Sequence, residues 1–259
     1  MMFAPKVYET VAPELPVDLP RPAVLVFSKT SAFRHGPAID AANAMFREMA
    51  RERGWGLYLT ESGAIFNPSQ LARFDVVVWN NVTGEVLTAD QKAAFQQYLA
   101  AGGGYLGIHG AGDGSAAKNW PWYMRELIGA RFIGHIGWPG TAVASVHVSD
   151  PSHLIMQGLP SSWSHEEEWY SFDRSVRDKG FRVLATVDER TYRPRGLLFD
   201  DLRMGGDHPV VWSRCVGKGR ALYSAFGHRP EAFAEPQHRL MLGNAITWAA
   251  QDATCERGL

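Results

Sequence analysis

The chain has 259 residues, 46% of them hydrophobic, and its 26 basic and 27 acidic side chains leave a formal net charge of −1. This length fits one large domain, and the composition excludes wholesale disorder. The lack of a basic block argues against a nucleic-acid partner, and no apolar run is long enough to span a membrane. We therefore expect a protein with neither nucleic-acid nor membrane partners.

Residues 1–22 contain five prolines and no hydrophobic periodicity, which is typical of an extended arm or a strap over the body of the protein. They also lack the apolar core of a secretory signal, so we expect a cytoplasmic location. The two cysteines, Cys215 and Cys255, form no CxxC motif, and no disulfide framework is expected. The predicted organisation is an N-terminal arm at 1–22, a single α/β domain at 23–250 and a C-terminal tail at 251–259.

The first half of the domain alternates short apolar runs with amphipathic stretches. The runs predict strands at 23–27, 55–60, 76–79 and 105–108. The stretches predict helices at 38–53 and 69–74, and a third helix that follows Thr88 as its N-cap and continues to Ala101. Such alternation over short links predicts a mostly parallel sheet with helices on both faces.

The second half of the domain has a different pattern. It predicts further strands at 142–148, 181–187, 210–212 and 221–225, a short helix at 120–128 and a closing helix at 238–250. Gly217-Lys218-Gly219, between the last two strands, is typical of a hairpin connection. We therefore expect antiparallel strands to extend the sheet in this half.

The strand at 105–108 leads directly into His109 and Gly110. Gly107, two residues earlier, completes the layout of a nucleophile elbow, in which small residues let the backbone turn sharply after a strand. Carboxyl ends of parallel strands are where open α/β sheets bind ligands. An imidazole in this position suits a general acid, a general base or a metal ligand rather than an acyl-enzyme nucleophile. The alternative is a loop histidine that only hydrogen-bonds to its own turn.

Several motifs together resemble the trehalose-utilisation, ThuA-like family. They are Gly-Ile-His-Gly-Ala at 107–111, Trp-Pro-Trp-Tyr at 120–123, Glu-Trp-Tyr at 168–170, Asp-His-Pro at 207–209 and Gly-His-Arg-Pro-Glu-Ala-Phe at 227–233. The resemblance implies a flavodoxin-like fold of the class I glutamine-amidotransferase type. In amidotransferases the elbow carries a catalytic cysteine, which His109 replaces here, so that reaction is not carried over.

The resemblance also implies a role in disaccharide or glycoside catabolism, often alongside sugar oxidoreductases that make 3-keto sugars, and a divalent metal is associated with some relatives. A homodimer is implied by the resemblance alone. Four residues are predicted to be catalytic: His109, Glu168, His208 and His228. Glu168 is preferred to Glu167 because it matches the family motif and is followed by aromatic residues, which raise the pKa of a neighbouring carboxyl.

Further residues are assigned to substrate and metal. The predicted substrate-binding residues are His35, Asp113, Trp120, Tyr170 and Asp207. Aromatic rings among them can stack on a sugar face, and ordinary core packing is the alternative. Metal ligation of Zn²⁺ or Mn²⁺ is assigned to His109, His135 and His208, although no local spacing signature supports it. A metal-free site with a histidine and a glutamate as acid–base pair fits the sequence as well.

Two functions are compatible with these residues. The first is a carbohydrate-catabolic enzyme that acts on a sugar or glycoside, in particular a 3-keto form, by acid–base or metal-assisted hydrolysis, elimination or isomerisation. The second is a non-catalytic sugar-binding or regulatory protein on an amidotransferase-like scaffold.

Overall fold

A computed structural model describes residues 7–198, 200–252 and 255. Its strands are β1 Ala23–Phe27, β2 Gly56–Thr60, β3 Val76–Asn80, β4 Gly104–Ile108, β5 Phe132–His135, β6 Ala142–Val148, β7 Ser162–Glu167, β8 Tyr170–Phe172, β9 Arg182–Val187, β10 Pro209–Val216 and β11 Gly219–Ser224. Nine of them form one sheet in the order β2-β1-β3-β4-β11-β10-β9-β6-β7, and β5 pairs with β8.

The sheet has a parallel half and an antiparallel half. Neighbours from β2 to β11 pair in parallel, whereas β10, β9, β6 and β7 continue the sheet with antiparallel pairs. The parallel part has the flavodoxin-like order 2-1-3-4-5, with β11 as its fifth strand. The predicted fold class is confirmed, including the antiparallel extension and the hairpin between β10 and β11.

The helices are α1 Gly36–Arg53, α2 Pro68–Leu71, α3 Ala89–Ala101, α4 Pro121–Tyr123 and α5 Pro236–Ala249, and α4 continues into one π-helical turn at Met124–Ile128. Thr88 caps α3 as predicted, because its side chain accepts from Gln91 N while the Gln91 side chain accepts from Thr88 N. In the part of the chain that the structure describes, no helix has the length and apolarity needed to cross a membrane.

Two adjacent residues of β3 show that helices cover both faces of the sheet. Consecutive side chains of a strand point to opposite faces. Trp79 stacks on Phe95 of α3, with ring centroids 5.6 Å apart. Asn80 Nδ2 instead donates to the Ile39 carbonyl of α1 at 3.1 Å. The apolar side chains between these layers form the core.

Strands β5, β7 and β8 are absent from the sequence expectations. They are short and rich in glycine, histidine, serine and glutamate, so they show neither an apolar run nor a clear alternation. Their places are set by tertiary pairing, β7 with β6 and β8 with β5. Two of these strands nevertheless carry residues that lie beside the candidate site, His135 on β5 and Tyr170 on β8.

The N-terminal arm lies as a strap on its own chain, and residues 1–6 of the predicted arm fall outside the described residues. Glu9 is its strongest anchor, because its carboxylate contacts Lys29 Nζ at 2.6 Å and accepts from Gly63 N at 2.8 Å. Farther along, Gly56 N of β2 donates to Pro20 O at 2.9 Å. The arm therefore contacts the start of β2.

The two cysteines, for which no disulfide framework was expected, form one disulfide in this structure. Cys215 of β10 pairs with Cys255 across 40 residues, with Cα atoms 5.4 Å apart. Cys255 N also donates to Lys218 O in the adjacent hairpin, which brings the tail to β10. Most of the remaining predicted tail, 253–254 and 256–259, lies outside the described residues. Disulfides persist mainly in oxidising compartments, so this one does not support the expected cytoplasmic location. That location stays a prediction.

Glu9→Ala is expected to lower the free energy of unfolding by about 1–3 kcal/mol, because it leaves the largely buried Lys29 ammonium without its carboxylate partner. Thermal and urea denaturation measure the change. Glu14→Ala, an exposed position of the same arm, is the matched control and is expected to leave stability unchanged. Equal stability of the two variants would contradict the role of Glu9 as an anchor.

Candidate functional site

His109 occupies the turn that follows β4. Its backbone has φ +40°, in the left-handed region that non-glycine residues rarely adopt and that is often found at functional sites. The imidazole is fully buried, and Nδ1 donates to the Ala225 carbonyl at 2.7 Å. Tyr223 Oη donates to the His109 carbonyl at 2.9 Å. These bonds fix the ring so that Nε2 faces the Glu168 carboxylate.

Three imidazoles converge on the Glu168 carboxylate. Glu168 Oε2 lies 3.4 Å from His109 Nε2 and 3.2 Å from His228 Nδ1. The His35 ring lies 4.9 Å from that of His109 and 5.2 Å from that of His228, measured between centroids. One ligand atom from each of the four residues falls within 4.8 Å of the others. We call His35, His109, Glu168 and His228 the histidine cluster.

The histidine cluster has the chemistry of a divalent-metal site. His35 Nδ1, His109 Nε2 and His228 Nδ1 are buried without a hydrogen-bond partner, which is costly unless a ligand satisfies them. Ligands about 2.1 Å from a tetrahedral ion stand about 3.4 Å apart, close to the contacts that Glu168 makes. His109 also gives its other nitrogen to a backbone carbonyl, as metal-bound histidines do. The residues present therefore fit a metal such as Zn²⁺ or Mn²⁺.

Burial and neighbouring charge set the protonation of the cluster. Burial opposes charge on Glu168, but the close imidazoles of His109 and His228 outweigh it and hold its pKa well below the usual range. Burial also opposes a charged His109, but Glu168 prevails and raises its pKa. Burial, together with the other two imidazoles, lowers the pKa of His35 to about 3. An anionic Glu168 and a neutral His35 are the forms that metal ligation requires.

His135, a predicted metal ligand, lies outside the histidine cluster but beside it. Its Nδ1 is 3.2 Å from Glu168 Oε1, the oxygen that does not face His109 and His228. The same Nδ1 lies 3.0 Å from the Ile136 carbonyl. The side chain is half-buried, with 35% of its surface exposed. His135 is therefore not among the residues whose ligand atoms converge within 4.8 Å.

Two predicted substrate-binding residues also border the cluster. The Tyr170 ring packs on that of His109 with centroids 4.1 Å apart, and burial raises its pKa well above the usual value. Asp113 ends the turn that begins at His109, and its Oδ1 accepts from Ser115 N at 2.7 Å and from Ser115 Oγ. Burial raises the pKa of Asp113, and the charge of His109 partly offsets this.

His208 is not brought to the cluster. Its buried ring lies behind Tyr170, where Nε2 donates to the Tyr170 carbonyl at 2.8 Å and Nδ1 lies 2.9 Å from Glu189 Oε1. Both ring nitrogens are therefore engaged, which argues against the predicted catalytic and metal-ligating roles. Since the chain runs into β10 antiparallel to β11, His208 reaches the correct edge of the sheet but lies behind the site.

Two other predicted substrate residues are also placed elsewhere. Trp120 is buried in the core, where its ring stacks on Tyr123 at 5.2 Å and lies 6.0 Å from Trp79. It offers no face to a sugar, so its stacking role is contradicted by its burial. Asp207 binds Ser175 Oγ at 2.5 Å and Arg177 Nε at 2.9 Å, which makes it a surface ion pair instead of a substrate contact.

The sequence reasoning missed three residues that support the site. Asn81, also at positive φ, accepts from Gly110 N at 3.2 Å and donates to Gly227 O at 3.1 Å, so it joins the elbow to the loop that carries His228. Glu167 is completely buried one residue before Glu168, and His165 pairs with it. A second asparagine after an apolar strand was the only signal for Asn81, and the acidic run concealed Glu167.

The fold and the elbow define a flavodoxin-like α/β protein with a histidine at the turn that follows β4. Residues 23–249 match the family described as ThuA, trehalose utilisation. The chain therefore belongs to this family, which confirms the resemblance and gives the protein a role related to carbohydrates. No curated protein matches the chain.

Known structures agree with this assignment. A ThuA-like protein from Bacteroides uniformis has a TM-score of 0.78 and 27% identity, with 94% of this chain and 97% of that chain covered. A second one from Parabacteroides merdae has a TM-score of 0.66 and 18% identity, with 90% and 91% covered. A β-galactosidase from Rahnella sp. R3 shares the fold over 86% of this chain and 30% of that chain, at 15% identity and a TM-score of 0.53.

The pair formed by His165 predicts a pH dependence of stability. Burial opposes protonation, but hydrogen bonds to Glu167 and Glu235 outweigh it and raise the pKa of His165 from 6.5 to about 9. Because the folded-state pKa is raised, this stabilisation is complete below about pH 6.5 and is lost as the pH rises through about 9. Relative to His165→Gln, the wild type is expected to lose about 1–3 kcal/mol of unfolding free energy between pH 6.5 and 9.5.

Urea denaturation at a series of pH values measures this loss. His147→Gln, at a half-exposed position on β6, is the control and is expected to follow the wild type. Parallel curves for the wild type and His165→Gln would contradict the prediction.

Proposed function

We propose that this protein is a metal-dependent enzyme of carbohydrate catabolism that acts on a small sugar or glycoside, in particular a 3-keto form. The observation that carries the proposal is the convergence of two buried imidazoles and the half-buried His228 ring on the Glu168 carboxylate. Membership of the ThuA family supports a carbohydrate substrate. The absence of a cysteine or serine at the elbow disfavours acyl transfer. A homodimer in the cytoplasm, suggested by sequence and resemblance, forms part of the same proposal.

Zn²⁺ or Mn²⁺ would be held by the unpartnered nitrogens of the three cluster histidines and by Glu168 Oε2. When bound, the metal supplies a Lewis acid that polarises an oxygen of the substrate. His109 and Glu168 hold their places without help from the metal, since Nδ1 of His109 is tied to Ala225 O and Glu168 Oε1 faces His135. The site is therefore preorganised for a cation.

His135 is the residue that we assign to proton transfer. Because its Nδ1 faces the Ile136 carbonyl and Glu168 Oε1, Nδ1 carries the proton and Nε2 is left as the acceptor. A keto sugar has an acidic C–H next to its carbonyl, and His135 Nε2 removes that proton. Glu168 Oε1 stabilises the imidazolium that forms, as a carboxylate does for a catalytic histidine. Elimination or isomerisation then follows from the same proton removal.

Asp113 is proposed to bind the sugar, and Tyr170 to hold the His109 ring in place. Asp113 uses Oδ1 for Ser115, which leaves Oδ2 for a sugar hydroxyl. The Tyr170 ring is fixed between His109 and Phe132, at 4.1 and 4.5 Å between centroids. Asp113 thus offers the sugar a polar contact, whereas the buried Tyr170 ring supports the site from beneath His109.

Elemental analysis tests the metal. We expect about one Zn, Mn or Fe per chain in protein purified without chelators or a histidine tag, and its loss in His109→Asn and His228→Ala. Asparagine is chosen at position 109 because it tolerates positive φ. His147→Ala, outside the cluster, is the control and keeps its metal. A metal-free wild type would move the proposal to an acid–base site of histidine and glutamate alone.

Kinetics of His135→Gln test the assigned proton transfer. We expect kcat for a 3-keto glycoside to fall by about 10²–10⁴, the usual contribution of general acid–base catalysis, with the metal content unchanged. Product formation followed by NMR measures the rate. Loss of metal in this variant would make His135 a ligand instead. Saturable sugar binding by the wild type without any product would favour the non-catalytic alternative.

A further inference from the structure

The carboxylate of Glu167 is buried without exposure and is satisfied mainly by backbone amides. Oε1 accepts from Glu168 N at 2.8 Å and from His228 N at 3.1 Å, and Oε2 accepts from Gly227 N at 2.6 Å. Burying an ionised carboxylate is costly unless it is paired and hydrogen-bonded in this way. Two of the three amides belong to residues of the histidine cluster, although Glu167 itself lies outside the cluster.

A second layer holds Glu167 from behind. His165 Nε2 lies 3.5 Å from Glu167 Oε2, and His165 Nδ1 lies 2.6 Å from Glu235 Oε2 at the start of α5. The His165 side chain is fully buried, whereas about a third of the Glu235 side chain is exposed. A chain of charged groups thus runs from the surface of α5 to Glu167.

Gly227 lets the loop that Glu167 binds pack closely against the end of β4. Its φ of +118° lies in the region that favours glycine, and a Cβ there would approach Ile108 Cγ2 to 2.7 Å. The loop backbone therefore rests against the end of β4, immediately beside the elbow that carries His109. The Glu167 carboxylate accepts from the amides of both Gly227 and His228. It therefore fixes the backbone from which the His228 side chain extends toward Glu168.

We propose that Glu167 is a positioning residue for metal binding, which sets the distance between His228 and Glu168 and is itself held by His165 and Glu235. The inference rests on the proposed metal-dependent function. It assigns no contact between Glu167 and the metal or the sugar. Supporting residues of this kind typically change metal affinity by 10- to 100-fold when they are altered.

Two substitutions separate position from charge. Glu167→Gln keeps the shape, but its amide NH₂ must face a backbone N–H, so one of the two acceptor oxygens is lost. Glu167→Asp keeps the charge, but it is shorter by one methylene and cannot reach the same amides. Glu231→Gln makes the same charge change at an exposed position of the turn that follows His228, and it serves as the control.

Titration of the metal-free full-length chain with Co²⁺ tests the inference through calorimetry and the visible spectrum. We expect about 10- to 100-fold weaker binding and an altered Co²⁺ spectrum for Glu167→Gln, with smaller changes of the same kind for Glu167→Asp. Glu231→Gln is expected to match the wild type. Thermal denaturation of each apo-protein confirms that it is folded. Where Glu167→Gln lacks a cooperative transition, Glu167→Asp decides the test.

The outcomes are distinguishable. Wild-type affinity and spectrum in Glu167→Asp would show that charge alone is needed, and would overturn the positioning role. Unchanged Co²⁺ binding by a folded Glu167→Gln would overturn it as well, while leaving the proposed metal site intact. A wild type that binds no Co²⁺ would overturn the metal site and this inference with it.

Discussion

The site depends on burying two adjacent carboxylates that face different partners. Glu167 is satisfied by backbone amides and His165, whereas Glu168 is satisfied by imidazoles. A buried carboxylate without such partners would be strongly unfavourable, so the loops that supply the partners are held in place by the same interactions. Because these two side chains belong to one backbone segment, they tie the antiparallel half of the sheet to the elbow of the parallel half.

The parallel half of the fold could be predicted from sequence because its strands are buried on both faces. The strand Val76–Asn80, for example, is an apolar run up to Asn80, which is typical of an inner parallel strand. The caps at Thr88 and Gly102 mark the two ends of the helix that follows it. The strand β7 could not be predicted, because its side chains alternate between solvent and a polar interior. A histidine and a glutamate that face inward have the same sequence pattern as a solvated surface.

The candidate site was predictable in part for a related reason. His35, His109 and His228 each follow a parallel strand, and the carboxyl ends of such strands meet at one edge of the sheet. This rule predicts at which edge of the sheet a residue lies, but not whether its side chain lies in the site or behind it. His208 also lies at this edge, because it precedes β10, which runs antiparallel to its neighbours. Its ring nevertheless turns behind Tyr170 and binds Glu189. Only tertiary contacts distinguish a residue in the site from one that supports it.

The choice of histidine at the elbow follows from the same geometry. A cysteine or serine there would act through its own nucleophilic atom, which needs a partner base but no further ligands. The imidazole of His109 instead directs Nε2 at Glu168 and lies close to two more imidazoles, with its other nitrogen fixed by Ala225. At this elbow the side chain is therefore one member of a converging set of imidazoles around a carboxylate. Asn81 supports this arrangement, because its one side chain binds both the elbow and the loop that carries His228.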